Sequence, residues 1–453
     1  MVQAVPDHAD TVYALSSGHG RCGVAVVRVS GPAAGRALDA IADGRPEPRR
    51  ASVRTLVDPV TCLEIDHGLI LWFPGPQSVT GEDVAEFHVH GGRAVVAALL
   101  RALGRVDGLR LAEPGEFTRR AFFHGKLDLT EVEGLADLIE AETEAQRRQA
   151  LRQVGGALRE LYDGWARELT TIMARIEAGI DFADEADVPD DVSSGLADRL
   201  RDLSVRIARH LDDGARGERL RDGLRVVIAG EPNVGKSSLL NMMAQRDVAI
   251  VSETAGTTRD VIEVHLDLRG NPVTLVDTAG IRDSEEEVER LGIERARQRI
   301  ASADLVVWVS APDVICGEGT GVLDTDADVL RIVNKCDLIG DRREFTTSLP
   351  PERWLLVSAR TGEGVDDLVD VLTRRAEEAF SQSEEPLITR ERYRSALEEC
   401  RTLIGKALDA DWHNLELVAE DLRLAARAIG RITGRVDAEH LLDVIFREFC
   451  IGK

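Results

Sequence analysis

The sequence predicts a multidomain protein that joins α/β and all-α parts, and three observations predict it. Near residue 125 the hydrophobic period changes from short β-rich runs to helical spacing. From about Leu224 to Ala379, buried-type strands alternate with helical segments around a Gly-rich turn, the pattern of a nucleotide-binding α/β sheet. Helical spacing then returns, so the helical part is interrupted by the second α/β block. Such an insertion is tolerated because the ends of a compact domain lie near each other at exposed loops. The expected divisions are 1–124 (N-terminal α/β domain), 125–216 (first helical segment), 217–379 (inserted P-loop domain) and 380–453 (second helical segment).

In the first division Gly23–Val29, Gly68–Phe73 and Val84–His90 are apolar, β-branched runs bounded by turns, hence strands. Gly91-Gly92 ends the third, and Arg93–Leu103 reads as a helix. Beyond Leu127, the spacing of Leu135, Leu138 and Ile139 is helical, and a polar-faced helical stretch runs to about Ala178. Asp181–Asp191 is acidic and broken by Pro189, which predicts a loop, and Ser193–Leu211 predicts another helix. The inserted block holds strands at Arg225–Ala229, Pro272–Val276, Leu305–Ser310, Val329–Val333 and Trp354–Val357. In the last division Val418, Leu422, Ala425, Ile429 and Ile432 form a continuous helical seam.

Composition narrows the class. A chain of 453 residues exceeds one ordinary core. With 43% hydrophobic and 30% charged residues it is globular, which excludes a wholly disordered protein. No apolar run approaches the ~18–20 residues of a membrane span. The opening MVQAVPDHAD has no basic stretch or apolar core, so no signal peptide is expected. Six scattered cysteines without a C-x-x-C pair fit a reducing compartment. The net charge of −24 repels polyanions at long range, so any nucleic-acid contact rests on local Arg patches. Lysine occurs only at positions 126, 236, 335, 406 and 453, which singles each one out, since Lys and Arg are not interchangeable.

Gly230-Glu231-Pro232-Asn233-Val234-Gly235-Lys236-Ser237 matches G-x-x-x-x-G-K-[ST] in full, after a predicted strand and before a helix starting near Ser238. The glycines let backbone amides close on phosphate oxygens, Lys236 reaches the outer phosphates, and Ser237 offers a hydroxyl to Mg²⁺. Asp277-Thr278-Ala279-Gly280 ends a strand, where the carboxylate holds Mg²⁺ through water. In Asn334-Lys335-Cys336-Asp337 the last carboxylate accepts two hydrogen bonds from a guanine edge, and Ser358-Ala359-Arg360 completes the base pocket. Gly256-Thr257-Thr258-Arg259-Asp260 lies between the first two motifs. Five motifs in this order define a GTP-binding domain. Ile281 follows Gly280 where Ras-type GTPases carry a water-orienting Gln. An apolar side chain cannot orient water, so Glu285, Glu286, Glu287 and Glu289 are the candidates, and most of them suit a solvated acidic face.

Outside that domain the chain carries Asp10-Thr11-Val12, Arg28-Val29-Ser30-Gly31-Pro32, Thr80-Gly81-Glu82-Asp83-Val84, Pro114-Gly115-Glu116-Phe117-Thr118, Gly125-Lys126-Leu127-Asp128-Leu129, Glu177–Phe182 and the terminal Phe449-Cys450-Ile451-Gly452-Lys453. With these, essentially the whole chain resembles the tRNA uridine-5-carboxymethylaminomethyl modification GTPases, the MnmE/TrmE family. The resemblance implies an N-terminal tetrahydrofolate-binding domain that also forms the homodimer, a discontinuous helical domain and an inserted Ras-like G domain. It implies a flavin-dependent partner, MnmG/GidA, in a heterotetramer-type complex. Together they install an aminomethyl-type group on C5 of the wobble uridine of certain tRNAs, using GTP and 5-formyltetrahydrofolate or a related one-carbon folate, with no membrane involved.

By position the resemblance assigns folate binding to Arg28, Glu86, Lys126 and Lys453, so four of the five lysines fall in functional motifs. It assigns GTP contacts to Asn233–Ser238, Ser252, Glu253, Thr254, Ala255, Gly256, Thr257, Thr258, Asp277, Thr278, Ala279, Gly280, Asn334, Lys335, Asp337, Ser358, Ala359 and Arg360. Mg²⁺ falls to Ser237 and Thr258. A K⁺ ion replacing the arginine finger falls to Asn233, Ser252, Thr254 and Thr257. Glu289 is implied to position water, with Lys236 catalytic. Ser252 stands where Thr is usual, and Arg360 where Lys is usual. Cys450 is a catalytic thiol expected near the folate; its alternative is a buried hydrophobe on the last helix.

Two further readings compete. Glu86, His88 and His90 share parity on one strand, which suits zinc, although the folate role already accounts for Glu86. The terminal Cys-Ile-Gly-Lys is no prenylation box, because Lys is not an accepted last residue. The rival function is a regulatory switch GTPase acting on ribosomes or membranes without nucleoside chemistry; the N-terminal motifs and the Cys-containing tail speak against it.

Overall fold

The computed structural model describes residues 10–18, 20–181, 192–246, 248–250, 263–277, 298–315, 327–349, 354–381, 386–412, 414–436, 439–447, 449 and 451–452. Contacts divide the chain into two compact units, one of 1–136, 152–204 and 396–453, the other of 137–151 and 205–395.

The first unit contains a six-stranded sheet in the order β3-β4-β5-β2-β1-β6. Its strands are β1 (Thr11–Leu15), β2 (Cys22–Ser30), β3 (Ser52–Val57), β4 (Glu64–Phe73), β5 (Val84–Gly91) and β6 (Leu109–Leu111). One face carries Val27, Val29, Leu56, Ile70 and Phe87 against Leu38 and Ile41 of α1 (Ala34–Ile41) and Leu99 and Leu103 of α2 (Arg93–Leu103). Strand period two sends the intervening Arg28 and Glu86, paired in register, to the opposite face. There Val12 and Ala14 of β1 pack on Phe117 of α3 (Glu116–Phe123).

The polar-faced stretch expected as one run of helix is broken into α4 (Leu129–Glu140), α5 (Glu144–Val154) and α6 (Ala157–Asp181). Each of the first two starts on a reciprocal cap. The Asp128 carboxylate accepts from the Glu131 amide while Glu131 accepts from the Asp128 amide, and Thr143 and Gln146 repeat the arrangement. Gly156, in the left-handed region at φ 86°, separates α5 from α6. Leu158, Tyr162, Trp165, Leu169, Ile172 and Ile176 form a buried seam on α6. Helix Leu415–Thr433 packs along α6 with Val418, Leu422, Ala425, Ile429 and Ile432 buried, as the spacing predicts. The pairs Arg423–Glu177 and Arg435–Asp163 sit at opposite ends, so the two helices run antiparallel.

The second unit contains a seven-stranded sheet in the order β13-β12-β11-β7-β10-β9-β8. The strands are β7 (Leu224–Gly230), β8 (Ala249–Ile250), β9 (Glu263–Leu268), β10 (Asn271–Asp277), β11 (Leu305–Ser310), β12 (Asp328–Val333) and β13 (Trp354–Leu356). The five strands expected from sequence are all present and pair in parallel. β8 and β9 are additional. β9 alternates buried Val264, Leu266 and Leu268 with polar His265 and Asp267, which marks a half-buried strand rather than a buried run, and it pairs antiparallel with both neighbours. Helices α7 (Val192–Asp212), α8 (Gly214–Asp222) and α9 (Lys236–Ala244) precede or follow β7, and Val365–Ala379 packs Leu368, Leu372 and Ala376 into the sheet core. Beyond Asp181, the loop expected over 181–191 lies outside the described residues, and among those described no helix is long and apolar enough to cross a membrane.

Candidate functional site

The Gly-rich turn leaves β7 at its carboxyl end, where ligands bind in open α/β sheets, and feeds α9. Gly235 has φ 96°, and a Cβ there would lie 2.3 Å from Asn334 Nδ2, so only glycine fits. The next residue, Lys236, is 8% exposed, and its ammonium donates to the carbonyls of Gly230 (3.0 Å) and Glu231 (2.8 Å). Burial lowers the Lys236 pKa, against the pull of Asp277, which raises it. An ammonium curled into a turn of backbone amides at a helix N-terminus is a phosphate-type cradle. Ser237 Oγ donates to Asp277 Oδ2 at 2.8 Å, and Asp277 is fully buried. These are adjacent hard oxygens, the donor set that suits Mg²⁺.

Asn334 ties three loops together. Its Nδ2 donates to Val234 O (2.8 Å) and its Oδ1 accepts from the Ala359 amide (2.9 Å). Lys335, at φ 61°, reaches back so that its Nζ donates to Asn233 O (2.8 Å). Asp337 Oδ1 accepts from Ser358 Oγ at 2.7 Å, which holds the carboxyl below its ordinary range. Arg360, exposed, stands 4.0 Å from Asp337 Oδ2. The fold thus gathers Asn233, Val234, Gly235, Lys236, Ser237, Asp277, Asn334, Lys335, Asp337, Ser358, Ala359 and Arg360 around one turn; Ser238 is exposed on α9. Ser252, Glu253, Thr254, Ala255, Gly256, Thr257, Thr258, Thr278, Ala279, Gly280, Ile281 and Glu285–Glu289 lie outside the described residues.

A second cluster sits on the open face of the first sheet. Arg28 Nε and Nη2 both reach Glu86 Oε1 at 3.0 Å, while Glu86 Oε2 meets His88 Nε2 at 3.2 Å. The Arg28 guanidinium lies 5.7 Å from the ring centre of Phe117, within cation–π range. Lys126 is exposed just after α3, with its amide on Ala121 O. The last described residues return to this unit: Ile451 bridges Pro114, and Gly452 is so close to Leu15 that a Cβ would fall 2.0 Å from its carbonyl oxygen. Cys450 and Lys453 lie outside the described residues.

Sequence reasoning named one of three further contributors, His88, and missed the other two. His88 shares the Glu86 carboxylate, whereas His90 Nδ1 turns to Asp66 at 2.8 Å. The two histidines therefore engage different carboxylates, and among the described residues no group of three His, Cys, Asp or Glu could hold a metal. The second is Arg120, wholly buried, which reaches Asp10, Glu82 and Glu116. Arg299 is the third: it donates to Asp277 O at 2.7 Å. Only the parity of Glu86 and His88 was visible beforehand; a long-range partner of a buried Arg leaves no local pattern.

Two family models match the chain: the MnmE helical domain over residues 129–450 and the GTP-binding protein TrmE N-terminus over 11–126. A tRNA modification GTPase MnmE from Parvibaculum lavamentivorans is 54% identical, covering 98% of this chain and 100% of that protein. Its namesake from Rhodospirillum rubrum is 51% identical over 98% and 99%, and that from Paramagnetospirillum magneticum 52% over 98% and 100%.

Proposed function

The chain belongs to the MnmE family of tRNA modification GTPases and is a GTP hydrolase; from that premise we propose the chemistry its two clusters serve. Hydrolysis is potassium-dependent. With the flavin-dependent MnmG/GidA in a heterotetramer-type complex, it adds an aminomethyl or carboxymethylaminomethyl group to C5 of the wobble uridine of certain tRNAs, drawing on a tetrahydrofolate one-carbon unit. The protein works in the cytoplasm as a homodimer through its N-terminal domain, with the divisions 1–124, 125–216, 217–379 and 380–453.

The observation that carries this reading is the pairing, in one chain, of the phosphate-type turn with a tail seated beside the Arg28 domain. In the first site Asp337 accepts from the base, with Asn334, Lys335, Ser358, Ala359 and Arg360 shaping its pocket. Lys236 and the amides of Val234–Ser238 bind phosphate, and Glu289 positions water. Ser237 and Thr258 would hold Mg²⁺, with Asp277 beside it, and the ion would supply positive charge against the phosphates. K⁺ is held by Asn233, Ser252, Thr254 and Thr257. In the second site Arg28, Glu86, Lys126 and Lys453 bind the folate: a carboxylate suits the donor edge of a pterin, and cations suit its acidic tail. Cys450 provides a thiol near it.

Purified protein is incubated with MnmG, GTP, KCl, a one-carbon folate and unmodified tRNA, and the wobble nucleoside is read by mass spectrometry. A new aminomethyl-type nucleoside is expected. GTP turnover with an unchanged nucleoside would favour the switch GTPase instead.

A further inference from the structure

We propose that Arg299 is a positioning residue for GTP hydrolysis: it pins the Asp277 carbonyl and thereby sets the Asp277 carboxylate against Ser237. Asp277 closes β10 and pairs with Ile228 of β7 in the parallel ladder. Arg299 Nη1 donates to it at 2.7 Å, a charge-assisted bond between residues 22 apart in sequence. On the other side of the same residue, the buried carboxylate accepts from Ser237 Oγ at 2.8 Å. Fixing the carbonyl fixes the backbone torsions of Asp277, and those torsions direct its side chain.

The cation comes from a rigid platform. Ser302 N and Oγ both donate to Arg299 O. Two residues later Asp304 accepts from the Arg225 amide of β7 at 2.9 Å, and its carboxylate pairs with Arg219 at 2.6 Å. Arg299 thus ties the end of β10 to a residue 22 positions further along the chain.

The inference rests on the reading of Ser237 and Asp277 as the ion side of the nucleotide site, and the test separates the two. Release of a fluorescent GDP analogue is measured across a Mg²⁺ titration, with kcat and KM for GTP, in wild type, R299A, R299K and Q298A. R299A should lower kcat on the order of tenfold with KM within about twofold. It should also raise the Mg²⁺ needed to slow nucleotide release about fivefold. R299K should recover most of both, because an ammonium also donates to a carbonyl, and Q298A should match wild type. An R299A titration and kcat equal to wild type would overturn the proposal alone. Equal losses in R299A and R299K with a lowered Tm would overturn it in favour of a packing role. Wild-type release that ignores Mg²⁺ would overturn the ion reading and the proposal with it.

Discussion

Asp337 is the residue on which base choice turns, and its surroundings say what a substitution does. One of its oxygens already accepts from Ser358, so the carboxylate is held ionised and oriented. Asp337→Asn replaces an acceptor by an amide donor. Preference should move from guanosine toward xanthosine nucleotides by at least about tenfold, as read by competitive nucleotide binding; unchanged GTP affinity would show the base pocket lies elsewhere. Asn233 invites a second test. Its backbone is held by Lys335 while its exposed side chain makes no hydrogen bond among the described residues, so the amide is available to an ion. Asn233→Ala should abolish the advantage of KCl over NaCl in turnover while GTP still binds through Lys236; equal wild-type rates in both salts would sink the potassium mechanism. The residues of this site were legible because nucleotide chemistry restricts residue type at fixed spacing. Arg299 was not, since a side chain meeting a carbonyl 22 residues away follows no spacing rule.

At the scale of elements, α3 is placed by the buried Arg120, and α3 in turn places Phe117 beneath Arg28. Burial alone would raise the Glu116 carboxyl, yet the hydrogen bond from Arg110, the Glu113 amide and Arg120 outweigh it and hold the group below its ordinary range. Removing one member of such a cluster leaves buried charge unpaired. Arg120→Met should therefore cost about 3–5 kcal/mol in denaturant unfolding; a loss under about 1 kcal/mol would mean the carboxylates find water instead. The tail offers a subtler lesion. Gly452 has φ 99°, and a Cβ would strike Leu15 O. Gly452→Ala should thus displace the terminus and abolish tRNA modification while GTP hydrolysis stays near wild type, whereas loss of both would give the tail a role in the fold. Sequence reading found α2 and the Val418–Ile432 seam because a single buried stripe sets the period. It ran α4, α5 and α6 together because their caps are side-chain to backbone bonds, Asp128 with Glu131 and Thr143 with Gln146, inside a stretch whose polar face never changes.

Across the whole molecule the two units carry acid-sensitive groups of opposite sign. In the second unit His210 is 4% exposed, and burial pushes it down to about 4 from 6.5, against the opposing pull of Asp213. Its neutral form is the one the fold accepts. The unfolded chain binds the extra proton, so this contribution is complete above pH 6.5 and is lost as pH falls toward 4. In the first unit Asp128 moves the other way. Burial raises it to about 6 from 3.8; the Glu131 charge adds to that, while the Glu131 amide, Thr130 and Arg159 oppose it. Its Oδ1 caps α4, whereas its Oδ2 is buried with no hydrogen-bond partner among the described residues. Here the folded state holds the proton, so the contribution is complete below pH 3.8 and is lost as pH rises through 6. Each shift is worth about 3 kcal/mol at its limit, enough to matter against total stabilities of about 5–15 kcal/mol. Between pH 7 and pH 5 the two terms therefore oppose each other, and the native profile hides both. Asp128→Asn separates them, because an amide keeps the helix cap without a buried charge. The variant should be more stable than wild type at pH 7, and the gain should shrink by about half at pH 5, where the native carboxyl is largely protonated. Thermal unfolding of both proteins at the two pH values decides it: a gain that is absent at pH 7, or that grows on acidification, would mean Asp128 is ionised without penalty in the fold.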